Sequence, residues 1–285
     1  MNNNCKICGS NSTKIFSGKI LNKYIIDYFQ CDICCFIQTE CPYWLNESYS
    51  SAIASTDIGL VSRNLNFQNS TTWIIKKYFD YKAKFLDYAG GYGLFVRLMR
   101  DSGFDFYRQD MYCENLFAKY FDISDYNENI NFELITAFEV FEHLVDPIEE
   151  IKKILAFSDS IIFSTELQPQ NKMNSTEDWW YFAKETGQHI SFYTTKSLEV
   201  IAKKMNFYFY SNNRNLHIFT KKELFSNPFE EWENRNKKTL IIRYIYRLIK
   251  YFENAIGEKS NDIPLNSLLE KDYKLVIHKI SDSQL

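Results

Sequence analysis

Two cysteine pairs open the chain. Cys5-Lys6-Ile7-Cys8 and Cys31-Asp32-Ile33-Cys34 each place two thiols in one tight turn, with residues 9–30 between them. Thiolates paired this way and brought together by a hairpin suit tetrahedral zinc. With all four positions taken by protein, such a site is closed and structural. Gly9 follows the first knuckle, where a left-handed turn is expected. Cys35 stands at the matching place after the second, so that turn is strained or Cys35 replaces Cys34 as ligand; Cys41 is a further thiol that a metal could recruit. A redox CxxC would need a thioredoxin-like βαβ pattern, and none surrounds either pair.

A second constellation is Asp87-Tyr88-Ala89-Gly90-Gly91-Tyr92-Gly93. An apolar strand, Lys84 to Tyr88, runs into the small residues. A helical pattern follows from Leu94 to Arg100, with Gly103 just past its end, and Phe104 to Asp110 reads as the next strand. Strand, glycine turn, helix, strand opens a doubly wound α/β domain. The glycines let the backbone approach a bound nucleoside, and Asp110, ending the second strand, is placed for its ribose hydroxyls. A dinucleotide site would want GxGxxG, which this run lacks.

The run instead resembles the first motif of class I S-adenosylmethionine-dependent methyltransferases, an acidic residue followed by GxGxG. Asp87 matches the acid, and Gly91 and Gly93 match the second and third glycines; Ala89 replaces the first, a change expected to narrow the turn only slightly. Phe132 to Ala137 reads as the fourth strand. The run from Phe138 through Glu139, Glu142, His143 and Asp146 to Pro147 is similar to the family segment that passes the sulfonium and continues E-H-L-x-D-P. The resemblance implies that Asp87 helps hold the amino group of the methionine part. It implies that Ala89, Gly90, Gly91 and Gly93 lie beneath that part, that Asp110 binds the ribose and that Phe138 lies beside the cofactor.

The remaining elements fit that frame. Pro147 starts a helix through Leu155, Ser160 to Thr165 is a strand, and Thr195 to Met205 is helical. Phe207–Tyr210 and Leu216–Thr220 form a hairpin. The expected fold is α/β: a doubly wound methyltransferase sheet with a terminal antiparallel hairpin, preceded by a small zinc-ribbon-like module and followed by a helical C-terminal segment. The expected divisions are 1–41 zinc module, 42–69 polar connector with one short helix and no chemistry, 70–225 methyltransferase domain and 226–285 helical segment. Ser70-Thr71-Thr72 is expected to cap the first helix of the large domain.

Ligands of α/β sheets bind beyond the carboxyl ends of the strands. The insert after Thr165 begins there and carries Trp179-Trp180-Tyr181-Phe182 and Gln188-His189. Its aromatics can stack on a sugar or ring, or close the sheet edge. Methyl transfer to a hydroxyl needs alignment and loss of a proton. His189 is the first choice for that base, His143 and Glu139 follow, and Glu166 is weaker.

The net charge of −3 gives no general attraction to nucleic acid. No stretch is apolar enough to span a membrane, and the N-terminus lacks a secretory pattern, so a cytoplasmic location and reduced thiols are expected. Phe229 to Glu253 reads as an amphipathic helix whose basic residues at 237–250 could meet a membrane surface or a protein, though a solvated face on a packed helix is favoured. A zinc pair ahead of this domain, with the Gly187-Gln188-His189-Ile190-Ser191-Phe192-Tyr193-Thr194 run, is similar to methyltransferases of sugar and surface-polysaccharide biosynthesis. That resemblance implies a nucleotide-linked sugar or glycan precursor as acceptor, with O- or N-methylation favoured because the chain is too short for the extra domain of the C-methylating enzymes. The alternative is a non-catalytic adaptor that binds protein or nucleic acid through its zinc module.

Overall fold

A computed structural model describes residues 4–49, 57–125 and 131–237, with 274, 278 and 281. The β-rich stretches around the knuckles form β1 (Ser12–Ile20), β2 (Tyr24–Cys31) and β3 (Ile37–Thr39), all antiparallel. After them come a single-turn α1 (Leu45–Ser48) and a long α2 (Leu60–Tyr78). The large sheet holds β4 (Lys84–Tyr88), β5 (Asp105–Gln109), β6 (Leu134–Ala137) and β7 (Ser160–Ser164) in parallel, with α3 (Leu94–Asp101) and α4 (Pro147–Ile154) as crossovers. A two-residue β8 (Ser191–Phe192) and α5 (Thr195–Met205) lead to the hairpin β9 (Tyr208–Ser211) and β10 (Leu216–Thr220), of which β10 pairs antiparallel with β7. The order is β5-β4-β6-β7-β10-β9. This is the α/β sheet with a terminal hairpin that the sequence implies.

Central strands are apolar on both sides because helices cover both faces. Phe85, Leu134, Ile162 and Ile218 face α2, α3 and Phe229. Their neighbours Leu86, Ile135, Ile161, Phe163 and Phe219 face α4, α5 and the knuckles, with Cys5, Ile7, Cys34 and Phe36 in the same buried cluster. Helix boundaries follow local chemistry. Pro147 sits at the first position of α4, after Asp146, whose backbone N–H donates to Glu150. Thr194 and Ser197 form a capping box at α5, and Asn206 ends it at φ 59°.

One expectation changes. Ser70–Thr72 do not cap a helix. α2 starts ten residues earlier, and Ser70 lies inside it, its hydroxyl donating back to the carbonyls of Asn66 and Phe67. The supposed inert connector therefore supplies the first half of α2. The cysteine module is joined to the large domain. β8 adds to its sheet in the order β1-β2-β3-β8, through Ile37–Phe192 and Gln38–Ser191 pairing. Phe16 and Tyr28 of the module, with Trp44 just after it, share a core with Trp179, Tyr181, Phe182 and Phe192 of the insert. The C-terminal helix is described over 228–237, where Phe229 is buried; the basic positions beyond Lys237 lie outside the described residues. Among the described residues no helix is long and apolar enough to cross a membrane.

Candidate active site

The knuckles bring Cys5, Cys8, Cys31 and Cys34 together, with every Sγ within 4.8 Å of the others. The Cys5–Cys34 and Cys8–Cys31 separations are 3.6 and 3.3 Å, near the ~3.8 Å edge of a tetrahedron built on Zn–S bonds of ~2.3 Å. Backbone N–H groups of Ile7 and Cys8 point at the Cys5 sulfur, and those of Ile33 and Cys34 at the Cys31 sulfur. The donor set fits zinc. Cys35 takes the left-handed turn itself at φ 59°, matching Gly9 at φ 83°, and is exposed, as is Cys41. Both stand outside the four-sulfur cluster.

The sheet changes direction of growth between β4 and β6, and the turns leaving those strands meet there. Asp87, near the end of β4, is buried and accepts a 2.7 Å hydrogen bond from the Thr136 hydroxyl of β6. Gly90 packs so tightly that a Cβ would lie 2.7 Å from the Asp87 Oδ2 and 2.9 Å from the Arg108 Cγ. Gly91 (φ 54°) and Gly93 (φ 83°) are left-handed, and Gly93 starts α3. Ala89 is left-handed as well, at φ 54°. Its departure from glycine therefore costs backbone strain rather than narrowing the turn. Replacing Ala89 by Gly is expected to stabilise the fold by about 0.5 kcal/mol, the relief of ~1–2 kcal/mol of strain less the added freedom of the unfolded chain. A urea midpoint below that of the parent chain would contradict it.

Asp110 follows β5. Its carboxylate accepts from the backbone N–H of Gly91 at 2.9 Å and from those of Tyr112 and Cys113, both at 2.8 Å. It thus ties the glycine turn to the next strand. Arg108, which the sequence did not single out, does related work. It is buried, pairs with Asp122 at 2.5 Å and donates to the carbonyls of Gly91 and Cys113.

These turns open into one cavity of about 640 Å³, within the range of small-molecule sites. Asp87, Ala89, Gly90, Gly91 and Phe138 line one side, and Glu139, His143, Gln188 and His189 line another. Gly93 and Asp110 are not among the lining residues, but Asp110 is hydrogen-bonded to Gly91, which is. Phe138 stacks on Phe67 of α2 at 4.2 Å. Arg63 and Asn64, also of α2, line the cavity too; the sequence did not mark them because that half of the helix is polar. Glu139 is left-handed at φ 55°, accepts from the Ser164 hydroxyl at 2.7 Å, and lies 3.9 Å from the Arg63 guanidinium. Glu166 instead pairs with Arg214, and His217 is buried between Ser211 and Thr165.

The N-terminal cysteine module, with Trp44 just after it, braces the histidine wall. Trp44 donates to the carbonyl of Gly187 at 2.8 Å, Leu21 N–H to that of Lys184, and Thr39 N–H to that of Ile190. From the other side, Ile190 N–H donates to the carbonyl of Glu142, and Ser191 and Tyr193 donate to those of Leu144 and Phe141. His143 and His189 are thereby brought edge to face, ring centres 4.9 Å apart. Each Nδ1 meets a backbone carbonyl, that of Gln188 for His143 at 3.1 Å and that of Tyr181 for His189 at 2.7 Å. A carbonyl only accepts, so Nδ1 carries the proton and Nε2 the lone pair. Burial lowers His143 to about 4 and His189 to about 3, so both rings are neutral near pH 7.

A family model described as a methyltransferase domain matches residues 61–212. No curated protein matches the chain. Among solved structures, the plantazolicin methyltransferase in complex with SAH is 11% identical, with 62% of this chain and 90% of that one covered at a TM-score of 0.40. An O-methyltransferase family 2 protein from Planctomyces limnophilus, in complex with apigenin, is 11% identical, with 62% and 65% covered and a TM-score of 0.42. The mitomycin 7-O-methyltransferase is 13% identical, with 62% and 66% covered and a TM-score of 0.36.

Proposed function

The chain belongs to the methyltransferase-domain family, and we propose that it moves the methyl group of S-adenosylmethionine to a hydroxyl or amine of a small polar acceptor, a nucleotide-linked sugar or surface-glycan precursor. The observation that carries this is the shared cavity: the turns ending β4 and β6 open into the same space as a wall of neutral histidines. Methyl transfer needs a donor and an acceptor side by side.

On the donor side, Asp87 receives the ammonium of the methionine part, and Ala89, Gly90, Gly91 and Gly93 let that part lie against the backbone. Phe138 gives the adenosyl group an apolar wall. A carboxylate offers about four lone-pair sites, and Asp110 commits three to backbone N–H groups, which leaves acceptor capacity for a ribose hydroxyl. On the acceptor side, His189, His143 and Glu139 align the nucleophile and manage its proton, with Gln188 and the aromatic Trp180 and Tyr181 beside it. The four cysteines hold zinc as a structural ion that fixes this wall.

Titration calorimetry with S-adenosylmethionine and its demethylated product tests the donor; incubation with nucleotide-sugars, read as the mass gain of one methyl group, tests the acceptor. No heat with either donor form sinks the proposal. The pH dependence sharpens the test. Burial raises the Asp87 carboxyl to about 7, with the Thr136 hydroxyl pulling back, the Asp110 charge adding and Arg108 opposing. The ammonium prefers the carboxylate, so cofactor affinity should rise about tenfold from pH 6 to 8, with a proton released on binding. In Asp87→Asn the profile should flatten. Without ligand the sign reverses. The folded pKa lies above the unfolded one, so folding favours the neutral carboxyl, and that contribution is lost as pH rises through about 7.

A further inference from the structure

Glu142 is the odd residue of the histidine wall. It is fully buried, and neither carboxylate oxygen has a partner at full hydrogen-bond geometry, the Tyr181 hydroxyl being the one side-chain donor that acts on it. A buried carboxylate so weakly partnered is expensive, so its surroundings should supply what it lacks. They hold two imidazoles: one ligand atom each from Glu142, His143 and His189 lie within 4.8 Å of one another. Both imidazoles are oriented the way metal-bound histidines are, with Nδ1–H on a backbone carbonyl and the Nε2 lone pair left over. Tyr49 adds its hydroxyl at 3.0 Å from the His143 Nδ1.

We propose that Glu142, His143 and His189 bind a first-row divalent metal ion at the acceptor side of the cavity, distinct from the four-cysteine site. Two imidazoles and one carboxylate suit zinc, manganese or iron rather than magnesium, and three protein ligands leave open positions. Both histidines line the cavity, so those positions face the acceptor. The ligand class is an oxygen donor able to chelate, such as vicinal hydroxyls on a sugar. Resting on the proposed function above, this assigns activation of the acceptor hydroxyl to the cation instead of to an imidazole base. The hydroxyl proton passes to water, the oxygen electron pair forms the bond to the methyl carbon, and the carbon–sulfur pair returns to sulfur.

The test counts metal in the full chain after equilibration with Zn2+ or Mn2+ and removal of free ion. The parent chain should hold a second equivalent beyond that of the cysteines. Glu142→Gln and His189→Gln should each lose it, with affinity down by at least about 100-fold, while the first equivalent and the heat of cofactor binding persist. Cys34→Ser should lose the first. A parent chain that holds one equivalent with either ion, or variants that keep the second, overturns the site. Thermal unfolding checks that each variant folds, and His189→Gln carries the test if Glu142→Gln does not. Cofactor heat in the same samples separates the two proposals: heat without a second metal leaves the donor site standing and removes only the cation.

Discussion

Serine at Cys34 should loosen the acceptor wall as well as the knuckle. A four-thiolate zinc site contributes about 10–16 kcal/mol to the folding of small modules, comparable with the whole stability of a domain, so loss of one ligand is expected to cost several kcal/mol. The loss spreads because the module is woven into the catalytic half. The Cys34 carbonyl accepts from the Thr194 hydroxyl at 2.7 Å, the Ile7 carbonyl from the Lys204 ammonium at 2.6 Å, and the Cys35 carbonyl from Gln168 at 3.0 Å. β3 pairs with β8, two residues after His189. Amide exchange over 183–193 should therefore quicken in Cys34→Ser, and the thermal midpoint should fall, although no cavity residue is touched. Chelation of the parent chain should do the same. A module that acts as a separate bead would instead lose its zinc with 183–193 still protected; that result would refute the structural role assigned to the metal.

How much of this was legible beforehand differs by residue. The knuckles and the glycine turn could be read because their chemistry is local: a few adjacent residues fix a turn whatever the rest of the chain does. The sheet could be read because strands covered on both faces are short apolar runs, as in Ile161-Ile162-Phe163. What failed depended on tertiary partners. Of the first ten residues of α2 only Phe67 is buried, so no apolar stripe announces the helix, yet Arg63 and Asn64 reach the cavity. β8 is two residues long and exists only because β3 lies beside it. The left-handed backbone at Ala89 and Glu139 is invisible in residue types that rarely adopt it. Glu142 and His143 stood out as a pair, but the weak partnering of Glu142 appears only once its burial is known.

Valine at Gly91 should abolish cofactor binding while the fold survives, and Gly103 provides the control that makes the result interpretable. Both glycines are left-handed, Gly91 at φ 54° and Gly103 at φ 89°, and at both a Cβ would meet no protein atom within 4 Å. A side chain therefore imposes a similar backbone strain at each, about 1–2 kcal/mol and somewhat more for a β-branched residue. The difference is where the space leads. Gly91 lines the cavity and Gly103 does not; Gly103 closes α3 on the far side of the crossover. Gly91→Val places two methyl groups where the methionine part is proposed to lie, so affinity should fall at least about 100-fold, equivalent to ~2.7 kcal/mol. Gly103→Val should lose comparable thermal stability and bind the cofactor like the parent chain. Gly90→Ala would be a poorer probe, because its Cβ runs into Asp87 and Arg108 and mixes packing with binding. If Gly91→Val bound S-adenosylmethionine as the parent does, the donor would not lie over this turn, and the roles given to Asp87 and Asp110 would go with it.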